Sequence, residues 1–430
     1  MTLKFQYEVR DPIYGFIPFT ELEKLVIEQP AFQRLRRISQ LALTHYVYPG
    51  ATHTRLSHSL GVMHTASLMY QSVVESSGED LKREFYFDDS SLSRMHQIVR
   101  LAALLHDIGH SPFSHALESV MPKNKKTGEQ YKHEDYTIAI INKIIGDIPK
   151  NSPHQISKES ITDLIDRKGL ELKSFALFFK SLISSQLDAD RADYLLRDSY
   201  HCGVKYGVYD HPRLVNSITL GFDQYNNPFI GIKEESWQLA ESLVLARYWM
   251  HFYVYLHKTR RIFDYHLEEA VKYIFQDKNL PAPSSLNKYI ELDDGSIWEK
   301  LKKNKNNVHC NAILNRDHFR LLYSNSKVDS DYENTKFSKI IDKLEEQNIE
   351  YFIDSFSSNF YKTETDKKPD NADSYFDPKE IYIVDAERNI TPLAEKSTFL
   401  SKLTKEISFK NIYVAPKNKK EAKKIIGELK

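Results

Sequence analysis

An apolar helical stretch that runs straight into a histidine–aspartate pair constrains this chain more than any other feature. From Ser91 to Asp107, Ile98, Ala102 and Leu105 fall on one face of a helix, and the run ends Leu104-Leu105-His106-Asp107. A carboxylate delivered by so apolar a segment is expensive to bury unless an opposite charge meets it. The helix is expected to end near Gly109, a good residue just past a helix terminus, with Pro112 blocking continuation. His106 and Asp107 then lie at a helix end, where a cleft is easily built.

Two other segments supply matching chemistry. In His58–Ser77, the apolar positions Val62, Ala66, Met69 and Val73 define one helical face, and His58 lies four residues before Val62 on that face. A helix over Ser174–Tyr200 places Asp190, Tyr194 and Asp198 at successive intervals of four, along one slowly drifting side. A long helix over Ser236–Phe275 spaces Arg247, His251 and Tyr255 in the same way. The resulting H…HD…D pattern joins two imidazoles and two carboxylates. That mixed nitrogen–oxygen set suits a divalent metal that activates water or grips phosphate, and it admits Mg, Mn, Fe, Ni or Zn. His58 alone would more often be a hydrogen-bonded core histidine; the joint pattern carries the metal reading.

Beyond about residue 280 the character changes. Pro281–Ser285 and Lys303–Asn307 read as polar breaks, and the runs IEYFIDSF, EIYIVD and NIYVAP read as short strands separated by stretches such as TDKKPDNAD. The terminal NKKEAKKIIGELK reads as a basic amphipathic helix. The expected organisation is mainly α, a helical core over 1–275 followed by a smaller α+β lobe over 276–430. The 430 residues carry 59 basic and 59 acidic side chains, so nothing in the net charge calls for a general polyanion partner, and nucleic acid is not an expected one. Two cysteines give no disulfide framework. The first residues lack a signal pattern and no uncharged apolar run reaches transmembrane length, so the expectation is a cytoplasmic protein without a membrane partner.

These residues also carry a resemblance. DPIYGFI (from Asp11), FQRLRRISQL, YPGATHTRLSHSLGV, HDIGHSPFSH, KHEDY, LDADRADYLLRDSYHCGV and ARYWMHFYVYLHKTRR resemble, in order and over about the first 270 residues, the HD-domain deoxynucleoside triphosphate triphosphohydrolases. The resemblance implies an HD-type helical core and a divalent metal held by His58, His106, Asp107 and Asp190. It implies that His115 stands in line with the α-phosphorus and the 5′ oxygen, and that His110 and His133 contact the α-phosphate. Such roles suit histidines, because attack on a polyanionic triphosphate needs charge neutralisation and a donor at the leaving oxygen.

Arg55, Arg191 and Arg247 match the family's phosphate cations, Arg191 replacing a lysine and so changing donor geometry. Gln40 and Asp198 match residues that bond the sugar 3′-hydroxyl. Tyr194 and Tyr255 match the aromatics against the sugar, one ring excluding a 2′-hydroxyl. Gln33 and Arg36 match contacts to an activating guanine nucleotide (GTP or dGTP) between subunits, with Glu28 in the place of an aspartate and Arg10 in that of an asparagine. Arg213 and Lys233 match further phosphate contacts more loosely. The implied activity is hydrolysis of dNTPs to deoxynucleoside and triphosphate by a homo-oligomer, a dimer or tetramer. The competing readings are an HD phosphohydrolase acting on another nucleotide or phosphomonoester, and a non-catalytic nucleic-acid-binding regulator.

Overall fold

In the computed structural model the described residues are 3–428, apart from 147, 152–153, 167–173, 224, 277–279, 326–330, 359–379 and 401–406. The polar stretch TDKKPDNAD falls outside them. The chain is mainly α, a helical core with a smaller C-terminal part that contains sheets. It opens with an antiparallel hairpin, β1 (Tyr7–Asp11) and β2 (Gly15–Phe19). The central element is the helix Arg55–Phe85, whose buried face includes His58, Val62, Ala66, Met69 and Val73. It packs along the helices Asp89–Leu105 and Ala189–Cys202 and against β3 (Ile218–Phe222).

The site-bearing helices start where local chemistry dictates. Asp88 accepts from the Ser91 amide at 2.7 Å, capping Asp89–Leu105. Asp188 accepts from the Arg191 amide at 2.7 Å, capping Ala189–Cys202. That cap corrects the expected single helix over Ser174–Tyr200. Ser174–Ser181 is one helix, and a new one begins at Ala189 because the Asp188 side chain satisfies the Arg191 amide in its first turn, as well as the Ser185 amide before it. The expected Ser236–Phe275 helix is likewise divided. Trp237–Met250 passes into a π turn at His251–Tyr255, and Lys258–Ile274 restarts after His257, whose ring accepts from the Thr259 amide at 3.2 Å.

The helix carrying the His-Asp pair ends at Leu105, with His106 as its C-cap. Gly109 is not its left-handed terminator. A Cβ there would stand 2.3 Å from the His133 carbonyl oxygen and the Thr137 amide nitrogen, so glycine is needed for close approach of the helix His133–Ile140.

Two sheets were less legible. β3, β4 (Pro228–Lys233), β7 (Tyr382–Val384) and β8 (Ile390–Pro392) form one sheet in that order, β4 and β7 parallel and the other pairs antiparallel. β5 (Arg320–Ser324), β9 (Ile407–Val414) and β6 (Tyr351–Ser358) form an antiparallel sheet of order β5-β9-β6. Against it Phe337, Ile340, Leu344 and Ile425 build a separate apolar cluster, whereas Ile381, Ile383 and Leu393 bury with the helical core. No helix among the described residues is long and apolar enough to cross a membrane.

Candidate active site

The helices Arg55–Phe85, Asp89–Leu105 and Ala189–Cys202 bring His58, His106, Asp107 and Asp190 to one wall of a cavity of about 840 Å³. His58 Nε2 lies 3.1 Å from Asp190 Oδ1 and 3.4 Å from Asp107 Oδ2. His106 Nε2 lies 3.3 Å from Asp107 Oδ1 and 3.8 Å from Asp190 Oδ1. His106 Nδ1 donates to the Ala103 carbonyl at 2.7 Å, which leaves Nε2 with the lone pair that faces the carboxylates.

Electrostatics inside the set favour a cation. Burial opposes charge on His58, but hydrogen bonds to Asp190 and Asp193 overcome it and carry the ring up to about 10. Burial would likewise raise Asp107, yet Arg55 and His106 hold its carboxyl well below the usual range. His106 Nε2 is buried without an aligned hydrogen-bond partner. His58, His106 and Asp190 present donor atoms within 4.8 Å of one another, and Asp107 borders both imidazoles at 3.4 and 3.3 Å, a nitrogen–oxygen set that fits a divalent metal.

The structure adds residues that the sequence reading did not single out. Asp193 Oδ2 hydrogen-bonds His58 Nδ1 at 2.8 Å and fixes which nitrogen points at the site. Arg197, fully buried, donates to Asp193 from Nε and Nη2 at 2.8 Å each and to Asp11 from Nη1 at 2.8 Å. Gly61 makes room for this array: a Cβ there would lie 1.9 Å from Asp193 Oδ1. The only sequence signal was spacing, since Asp193 and Arg197 follow Asp190 at intervals of three and four on one helix.

Next to the metal donors, His110, His115 and His133 cluster within the cavity wall. Burial, followed by the charges of Arg55 and His133, pushes the His110 pKa well down. Glu118, also missed from sequence, binds His115 Nδ1 at 2.8 Å and His133 Nδ1 at 3.2 Å. Arg55, 3% exposed, pairs with Asp107 and donates from Nε to Ser114 Oγ at 2.7 Å.

The far end of the cavity is polar and aromatic. Asp198 accepts from the Tyr255 hydroxyl at 2.6 Å and hydrogen-bonds His53 Nε2 at 2.7 Å. Gln40 Oε1 is buried there without a partner. The Tyr194 and Tyr255 rings stand edge to face with centroids 6.2 Å apart.

Arg191 and Arg247 are not in the cavity wall. Arg191 pairs with Asp188, Arg247 Nη1 reaches Gln186 Oε1 at 3.5 Å, and both charges act on Tyr194. Gln33, Arg36 and Glu28 lie outside it too. Arg36 Nε donates to Gln33 Oε1 at 2.7 Å, and Glu28 and Arg36 are exposed. Arg10 covers the Phe16 ring at 4.8 Å, Arg213 is exposed, and Lys233 donates to the Asn216 carbonyl at 3.2 Å.

Comparison with known proteins gives the family. The profile of the HD domain matches residues 55–198, and that of the HD-associated region matches 209–355. The chain is 36% identical over 355 residues to an uncharacterised protein of Methanocaldococcus jannaschii, covering 82% of this chain and 66% of that one. It is 32% identical over 341 residues to the uncharacterised protein YwfO of Bacillus subtilis, covering 74% and 72%. It is 31% identical over 264 residues to the deoxynucleoside triphosphate triphosphohydrolase SAMHD1 homolog of Dictyostelium discoideum, covering 61% of this chain and 48% of that protein. A crystal structure of a phosphohydrolase from Bacteroides thetaiotaomicron superposes with a TM-score of 0.70 at 26% identity, covering 95% and 99%. The chain belongs to the HD-domain family of metal-dependent phosphohydrolases.

Proposed function

We propose that the cavity hydrolyses deoxynucleoside triphosphates to deoxynucleoside and inorganic triphosphate. The observation that carries this reading is the order of groups along one helix. Asp190 sits among the metal donors, Tyr194 follows one turn later, and Asp198 one turn beyond meets Tyr255 at 2.6 Å. A phosphate-binding end and a hydroxyl-binding end therefore share one cavity, separated by rings. The match to an enzyme whose name specifies dNTP hydrolysis supports the same substrate.

His58, His106, Asp107 and Asp190 would hold a divalent ion, which would supply positive charge at the phosphates and lower the pKa of water. Water attacks the α-phosphorus, the bond to the 5′ oxygen breaks, and His115 gives that oxygen its proton. His110 and His133 hydrogen-bond the α-phosphate, and Arg55 neutralises its charge. Arg191 and Arg247 turn from Asp188 and Gln186 to the outer phosphates. Gln40 and Asp198 bind the 3′-hydroxyl, and Tyr255 and Tyr194 pack against C2′, leaving no room for a ribose hydroxyl. Glu28, Gln33 and Arg36 bind a guanine nucleotide between subunits of a homo-oligomer.

The test is incubation with each dNTP, each ribonucleotide, cyclic nucleotides and guanosine polyphosphates, with Mn²⁺ or Mg²⁺. Triphosphate is expected from dNTPs alone. Turnover confined to another class would assign the HD chemistry to that class instead.

A further inference from the structure

His110, His115 and His133 line the cavity beside the histidine–aspartate centre, and with Glu118 they form a second donor set. Each offers one ligand atom, and these atoms all lie within 4.8 Å of one another. His110 is 1% exposed, and neither ring nitrogen has an aligned hydrogen-bond partner, although Nε2 stands 3.2 Å from Asp107 Oδ1. The His133 ring stacks on it with centroids 3.9 Å apart and planes 15° from parallel. His115 stands edge-on to both rings, at 4.8 and 5.7 Å. Glu118 Oε1 bridges His115 Nδ1 and His133 Nδ1 at 2.8 and 3.2 Å.

We propose that these four side chains are a second cation site, selective for zinc-like ions, whose occupation stops hydrolysis. Three imidazoles and one carboxylate are donors for Zn²⁺, Ni²⁺ or Co²⁺, whereas Mg²⁺ and Mn²⁺ favour oxygen. In a tetrahedral zinc site with bonds of about 2.0–2.1 Å, donors stand about 3.3 Å apart, so this set needs only modest closure. His115 and Glu118 lie on the 3-10 turn Ser114–Val120 with side chains 59% and 40% exposed, so space for a change of rotamer is available on that side of the set. An ion here takes the lone pair that His115 needs to carry a proton. Only that consequence rests on the proposed function; the binding itself does not.

The test starts from metal-free protein, loaded with Mn²⁺, titrated with Zn²⁺ by calorimetry, desalted, and assayed for both metals by mass spectrometry. Two ions per chain are expected in the wild type. Glu118→Gln and His115→Gln, both partly exposed positions, should weaken the second ion at least tenfold while keeping the first, with unchanged circular dichroism. The double variant Asp107→Ala/Asp190→Ala should retain one Zn²⁺. Saturation of the wild type at one ion per chain, or two equally tight ions in both Glu118→Gln and His115→Gln, would overturn the site. Excess Zn²⁺ should also suppress dNTP turnover of the Mn²⁺-loaded enzyme. A second ion bound with turnover unchanged would overturn the inhibitory role. Absence of any dNTP turnover would refute the proposed function and leave the stoichiometry to decide the site.

Discussion

Asp193 is fully buried behind His58, yet it decides which nitrogen of that ring faces the cavity. A carboxylate behind a ligating imidazole fixes its tautomer and orientation, and losing it costs 10–100-fold in metal affinity as an order of magnitude. Asp193→Asn keeps the shape and one acceptor but removes the charge shared with Arg197. We expect Mn²⁺ affinity, measured by calorimetry, to fall by about that factor; unaltered affinity would show that Asp193 serves only the core. Tyr255 invites a different test. Tyr255→Ala removes a ring and the hydroxyl that donates to Asp198, so the ratio of kcat/KM for dATP over ATP should drop at least about tenfold, the scale of excluding one small group. An unchanged ratio would place the sugar gate elsewhere. His106 and Asp107 were legible because a carboxylate behind two leucines has few alternatives. Glu118 and His53 were not, since their partners lie far off in sequence or across a turn, and no periodicity marks them.

The packing of helix Arg55–Phe85 on helix Asp89–Leu105 contains a neutral histidine that ties stability to pH. His96 stacks on Tyr70 with centroids 4.7 Å apart and meets Ser67 Oγ at 2.7 Å; burial, then the charge of Arg100, lowers its pKa from 6.5 to about 3. Because the folded value lies below the unfolded one, the unfolded chain binds the extra proton between those limits. The stabilisation is fully present above pH 6.5 and is lost as pH falls towards 3. One such group contributes a slope of about 1.4 kcal/mol per pH unit within that window. Thermal melts at pH 7 and pH 5 should therefore show a smaller acid loss of Tm in His96→Gln than in the wild type; identical losses would contradict the assignment.

Helix existence was readable at this scale from apolar spacing, and the strands at Tyr351–Ser358 and Tyr382–Val384 from β-branched and aromatic runs. Helix breaks were not. Asp188 and His257 act as caps through their side chains, and a cap within an amphipathic stretch leaves the apolar period intact on both sides.

For the whole molecule, we propose that one catalytic cavity is coupled to a regulatory surface between copies of the chain. A nucleotide that binds only the assembled form shifts assembly by mass action. Adding dGTP should therefore enlarge the sedimenting species and raise dATP turnover. Arg36→Ala, which removes an exposed guanidinium bonded to Gln33, should blunt both effects without changing metal content. Equal rates and equal size distributions with and without dGTP would leave a constitutive enzyme. The helical core and the gathering of His58, His106, Asp107 and Asp190 on one cavity wall could be read from the chain, whereas a surface such as Glu28–Arg36 looks the same in sequence whether it meets a partner or water.

Attack at the α-phosphorus of a deoxynucleotide can be followed by turnover of dATP in ¹⁸O-water with Mn²⁺ and mass spectrometry of the products. Deoxyadenosine without label and triphosphate carrying one ¹⁸O are expected, in equal amounts. Deoxyadenosine monophosphate with pyrophosphate, the diphosphate with labelled phosphate, or an unchanged substrate would contradict it.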